Sequence, residues 1–179
     1  MSKSIYKNFQ DIPPFTPWNT NYIVDMWWSE VERWIEKHND DYGVELDPDF
    51  QRGHVWTRDK QIAYVEHCLQ GGRASNLIHW NCHDWYECTG LHPIVLVDGK
   101  QRLEAVRAFL RGDIPAFGTL YPDYEGIMRP LVGATFKFHI NSLKTRAAVL
   151  RWYLELNDGG VVHTEEELNK VRSLLQKEE

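Results

Sequence analysis

Between Asn19 and Lys37, the apolar residues Ile23, Trp27, Val31, Trp34 and Ile35 recur at three- and four-residue steps. That spacing predicts one amphipathic helix over 19–37. The polar run HNDDY (38–42) breaks it, and GVELDP (43–48) reads as a short strand. Thr57 is a natural N-cap for a helix running to Gln70. That helix has Asp59 in its first turn and a stripe of Ile62, Val65 and Leu69. Gly71 and Gly72 end it.

Two strands follow, over 76–81 (NLIHWN) and 92–97 (HPIVLV). The second is a β-branched apolar run of the kind buried inside sheets. It leads into a helix over 99–111 with Leu103, Val106 and Leu110 on one face, closed by Gly112 in the left-handed position. Residues 113–134 read as a long loop. ATFKFHI (134–140) alternates like a half-buried strand, and 143–156 is helical. A last helix starts at Thr164, which has capping-box spacing to Glu167 and a stripe of Leu168, Val171 and Leu175. Residues 1–18, with Pro13, Pro14 and Pro17, read as an irregular leader to a single domain over 19–179. Helices and strands do not alternate regularly, so the expected class is α+β, a small mixed sheet packed by helices.

Composition narrows the function classes. The chain has 179 residues, 42% of them hydrophobic, enough for the core of one ordinary domain. No apolar run approaches the ~18 residues of a membrane span, so no membrane partner is expected. The net charge of −6 argues against a generally basic nucleic-acid binder. The charge is uneven, however. Residues 1–50 carry four Lys/Arg and ten Asp/Glu, whereas residues 51–111 carry eight and six. An anionic ligand is therefore expected in the middle of the chain. Three cysteines, Cys68, Cys82 and Cys88, make an odd count, and MSKSIYKNFQ lacks the apolar stretch of a signal peptide. Both features point to a cytoplasmic chain without a disulfide framework.

The strongest chemical constellation is Val97-Asp98-Gly99-Lys100-Gln101-Arg102, where a buried strand gives way to a helix. A helix N-terminus offers unpaired N–H groups and partial positive charge to an anion. Gly99 permits close approach, Lys100 adds charge and Arg102 can grip phosphate oxygens bidentately. Asp98 either caps the helix or holds Mg²⁺ beside the phosphates. A second polar segment runs from Asp47 to Trp56 and contains Gln51, Arg52 and Gly53, with Trp56 best read as a core anchor. The third, Leu156-Asn157-Asp158-Gly159-Gly160, reads as a helix end and turn.

Together these segments resemble a family. Asp47-Pro48-x-Phe50-Gln51-Arg52-Gly53-x-Val55-Trp56, then Leu96-Val97-Asp98-Gly99-Lys100-Gln101-Arg102-Leu103, then Leu156-Asn157-Asp158-Gly159-Gly160, look like the domain of unknown function 262. That family belongs to the ParB-like/sulfiredoxin-like superfamily. The resemblance covers roughly residues 43–175 and implies a small mixed sheet with a nucleotide pocket. In related phage-restriction proteins, an Asp-Gly-Gln-Gln-Arg segment supports nucleoside triphosphate binding and hydrolysis. Carried across, Asp98, Gln101 and Gln51 would be catalytic, the glutamines positioning water. Arg52, Gly99, Lys100 and Arg102 would hold phosphates, and Asp98 would hold Mg²⁺. Lys100 departs from the pattern, since Gln is usual there. The chain also stops short of the nuclease domain often joined to this one. Three functions stay open: a nucleotide-binding domain with triphosphatase activity, a DNA-binding or DNA-nicking protein, and a non-enzymatic module that binds a nuclease or another protein.

Competing features read as structural. His79, Cys82, Cys88 and His92 offer four zinc-type ligands, but the Cys-to-Cys gap is longer than usual, so zinc is not expected. His139 and His163 are lone histidines expected to be structural, and His38-Asn39 lacks a nuclease context. Trp27 and Trp28, adjacent in sequence, cannot face the same way on a helix: one is expected in the core and the other on a surface.

Overall fold

The structure is a computed structural model that describes residues 20–51, 53, 56–72, 75–83, 85, 90–126, 134–157 and 165–178. The expected leader over 1–18 lies outside them, as do Arg52, Cys88, Asp158 to Gly160, His163 and Thr164.

Among the described residues, five strands form one mixed sheet in the order β1-β5-β3-β4-β2. They are β1 (Thr20–Trp27), β2 (Val44–Glu45), β3 (Leu77–Cys82), β4 (Ile94–Asp98) and β5 (Thr135–Asn141). β1 lies antiparallel to β5, β5 parallel to β3, β3 antiparallel to β4, and β4 parallel to β2. The helices are α1 (Val31–Tyr42), α2 (Arg58–Leu69), α3 (Lys100–Leu110), α4 (Arg146–Asn157) and α5 (Glu165–Glu178). The expected α+β class holds.

The pleat divides the sheet between two cores. Ile78, Trp80 and Cys82 of β3, Ile94 and Leu96 of β4, and Phe136, Phe138 and Ile140 of β5 join buried residues of α1, α2 and α3. Trp34 packs edge-on against Phe138 at 4.9 Å and tilted against Trp80 at 5.3 Å. Such contacts are each worth about 1 kcal/mol beyond simple burial. The opposite face carries a smaller core in which Val97 meets Leu150, Trp152 and Tyr153 of α4 and Val171 of α5.

The expected helix over 19–37 is overturned in its first half. Residues 20–27 are β1, followed by a 3-10 turn at Trp28–Glu30 and then by α1. The spacing of Ile23 and Trp27 fits a strand as well as a helix, because both lie on one face at period two. Pairing with β5 decides between them, putting Ile23 opposite His139 and Trp27 opposite Thr135. The tryptophans divide as expected: Trp28 is fully buried and Trp27 is 52% exposed. The break at HNDDY is also corrected. α1 runs through it to Tyr42 and stops at Gly43, whose φ of +77° ends the helix. The strand expected over 43–48 shrinks to Val44–Glu45.

Elsewhere the local chemistry acts as read. The Thr57 side chain accepts a hydrogen bond from Lys60 N–H at 3.3 Å, capping α2. Gly112 follows α3 with φ +77°. Trp56 packs on the larger core, edge-on to Tyr64 at 5.3 Å.

Candidate functional site

The site begins with an irregularity in β4. Leu96 pairs with Trp80, yet Asp98 pairs with the preceding β3 residue, His79. Val97 is therefore an extra residue, a bulge. Bulges re-aim the side chains that follow them. Simple alternation would send Asp98 into the core with Ile94 and Leu96. The bulge turns it to the opposite face, beside His79.

Gly99 then makes the turn into α3. Its φ is +102°, and a Cβ there would lie 2.6 Å from Ile78 Cδ1 and 3.2 Å from the Leu77 carbonyl oxygen. Only glycine lets the first turn of α3 sit this close to β3. The first helical hydrogen bond runs from Leu103 N–H to the Gly99 carbonyl at 2.9 Å. The N–H groups of Lys100, Gln101 and Arg102 come before it, at the end that favours anions. Gly99, not Asp98, is the N-cap, and no side chain caps the helix. The capping role expected of Asp98 is thereby corrected.

Asp98 is engaged otherwise. Its Oδ2 accepts from Arg102 Nη2 at 2.5 Å and lies 3.4 Å from His79 Nδ1. Burial pushes the Asp98 carboxyl up, but the His79 contact and the Arg102 guanidinium outweigh it and hold it at about 2. Arg102 also donates from Nη1 to Ser75 Oγ at 2.9 Å, and its buried Nε has no hydrogen-bond partner among the described residues. Lys100 pairs with the exposed carboxylate of Asp47. Both cations at the helix start are thus balanced by carboxylates. Both of the Asp98 contacts fall on Oδ2. Among the described residues, no three His, Cys, Asp or Glu side chains are grouped to hold a metal.

The two Gln-Arg segments converge. Gln101 donates to the Gly53 carbonyl and accepts from the Trp56 N–H, both at 3.1 Å, across 48 and 45 residues of sequence. Gln51 donates to the Leu96 carbonyl at 2.5 Å. Both amides are buried. They clamp Gln51, Gly53 and Trp56 onto the end of β4 and the start of α3. Arg52 is outside the described residues, but its neighbours Gln51 and Gly53 are each fixed to this junction. The glutamines, expected to position water, hydrogen-bond through their side-chain amides to the backbone of the loop and of β4.

A row of side chains extends from the junction across the sheet. Ile23, His139 and His79 are successive register partners on β1, β5 and β3, and Asp98 on β4 completes the line. The His79 and His139 rings meet edge-on at 5.2 Å, and Trp152 packs perpendicular to His79 at 5.5 Å. Burial, then the neighbouring His79, lowers the pKa of His139. His79 was expected only as one member of a zinc set. Its contact with Asp98 was hidden because the bulge is not written in the local sequence. The zinc set is not assembled around it: Cys82 packs into the larger core, while His79 faces the other side of the sheet. Cys88 lies outside the described residues. His83 and His92 stack on each other at 4.0 Å.

The chain matches no protein-family model, no curated protein and no solved structure. Among the described residues, no helix is long and apolar enough to cross a membrane.

Proposed function

We propose that the β4–α3 junction binds the phosphates of a nucleoside triphosphate, as a ParB-like nucleotide-binding domain would. The observation that carries this reading is the double clamp of Gln51 and Gln101, which ties Gln51, Gly53 and Trp56 to the junction that bears Lys100 and Arg102. Gly99 supplies backbone access, the first turn of α3 supplies N–H donors, and Arg102 supplies a guanidinium whose Nε has no partner among the described residues. Asp98 would hold Mg²⁺ beside the phosphates, since both of its contacts fall on Oδ2. Calorimetric titration with each of the four ribonucleoside triphosphates, in Mg²⁺, tests the proposal. Binding by at least one is expected. Folded protein that binds none contradicts it.

One observation favours the interaction module as a second reading. Asp47 and Asp98 already neutralise Lys100 and Arg102, as they would in a fold that has kept its shape without its ligand. An Arg102→Ala variant that keeps its partner protein would support that reading.

A further inference from the structure

We propose that the outer edge of β1 pairs with β1 of a second copy of this chain, strand to strand across a two-fold axis. This surface lies at the far end of the sheet from β4 and is independent of the phosphate-binding reading.

The two ends of the sheet differ. At one end β2 is only Val44–Glu45, too short to seat another strand. At the other end β1 runs eight residues, and among the described residues only β5 pairs with it. The N–H and C=O groups of such an edge are a template for a further strand. Edges are commonly blunted by lysine, by proline, by an inward-pointing charge or by a bulge. β1 contains no lysine and no proline. Its one charge, Asp25, is exposed and already paired with Lys137 of β5 at 2.6 Å. The one irregularity in its pairing lies between Thr20 and Tyr22, so Ile23–Trp27 is regular.

Both faces of this edge carry uncovered apolar surface. Ile23 and Trp27, on the face turned away from the larger core, are 56% and 52% exposed. On the other face Tyr22 is exposed, and Val24 and Met26 are only partly covered by that core.

The strand is complementary to its own copy. Under two-fold symmetry, antiparallel pairing needs an axis normal to the sheet, so each residue meets one of the same parity and like faces adjoin. Ile23 and Trp27 of the two copies then form one apolar strip, and Val24 and Met26 of both cover each other on the opposite face. Registers centred on Ile23 or Val24 keep the two Asp25 carboxylates apart, whereas a centre at Asp25 would oppose like charges. With Lys137 beside each Asp25 the edge is locally neutral, which suits a second copy and leaves a charged foreign strand no counter-charge to gain. Aromatic, aliphatic and backbone surface together amount to about 1,000 Å² over both copies, the lower end of specific interfaces. Because β2 offers no second edge, the contact closes as a dimer and does not propagate into a filament.

Sedimentation equilibrium of the full chain, from about 1 μM to about 1 mM, tests the proposal. The mass is expected to rise from one chain to two across that range. Ile23→Lys and Trp27→Lys change exposed side chains, and each should weaken the dimer at least about tenfold, because an edge lysine bars pairing. Phe117→Lys, at an exposed aromatic outside the sheet, should leave dimerisation unchanged. A wild-type monomer throughout the range overturns the proposal, including one whose β1 edge is taken by residues 1–19 of its own chain. A dimer that survives both β1 substitutions, or one lost in Phe117→Lys, overturns it too. Should the β1 variants not fold, hydrogen exchange of wild type decides. Amides within Ile23–Trp27 should exchange more slowly at high protein concentration than at low. Rates independent of concentration overturn the proposal.

Discussion

Gln101 binds the backbone of the loop that precedes α2, donating to the Gly53 carbonyl and accepting from the Trp56 N–H, both at 3.1 Å. One buried amide thus joins two polar segments far apart in the chain. Gln101→Leu removes both bonds and leaves two loop groups unpaired. The expected cost is about 1 kcal/mol, the net worth of a typical protein hydrogen bond, since water can reach the partly buried loop groups. Urea unfolding measures it. Hydrogen exchange should accelerate at Trp56 before it does in α3, and unchanged exchange at Trp56 would remove the clamp from the description.

Gly99→Ala is expected to destabilise by roughly 2 kcal/mol or more, because an L-residue is strained at positive φ and its Cβ meets β3. The clash involves the Leu77 carbonyl as well as the Ile78 side chain, so side-chain movement alone cannot relieve it. Gly53→Ala serves as the control, with open space around its Cβ. A chemical denaturation midpoint at Gly99→Ala equal to that of the control would contradict the close approach.

The elements that could be read from sequence are those whose chemistry is local. Thr57 caps α2, Gly112 closes α3, and the Ile94–Val97 run forms a buried strand, all within a few residues of their own signals. β1 escaped because Ile23, Trp27, Val31, Trp34 and Ile35 keep a helix-like spacing across a strand, a 3-10 turn and a helix. Its partner β5 lies more than a hundred residues away, so the choice is made by tertiary pairing. The motif residues of the site could be read as candidates, but their geometry could not. The bulge at Val97 decides which face Asp98 takes, and Asp47 was not expected to neutralise Lys100.

Asp98 makes stability depend on acid. Its folded-state value, about 2, lies below that of an unfolded aspartate, so its contribution is complete above roughly pH 4. That contribution is lost as pH falls through the folded value, and amounts to about 2 kcal/mol at most. Asp98→Asn should lower stability at neutral pH and flatten the fall between about pH 4 and 2. Unfolding free energies at a series of pH values check this, and a variant curve parallel to wild type would contradict it.

Asp47 competes with any anion for Lys100. The carboxylate is largely exposed, so Asp47→Asn should change stability by less than about 1 kcal/mol. Pyrophosphate or triphosphate binding should tighten several-fold, and its salt dependence should steepen. Equal affinity in Asp47→Asn and wild type would place the anion away from Lys100.

Convergence of the two Gln-Arg segments on one phosphate site is tested most directly by calorimetric titration of wild type, Arg52→Ala and Arg102→Ala with the ribonucleoside triphosphates in Mg²⁺. Wild type is expected to bind at least one triphosphate at a one-to-one ratio, and each variant, still folded, to lose at least about tenfold in affinity, as expected when a charge-assisted contact is removed. Binding that survives both substitutions unchanged, or no binding by folded wild type, would contradict a shared phosphate site at the β4–α3 junction.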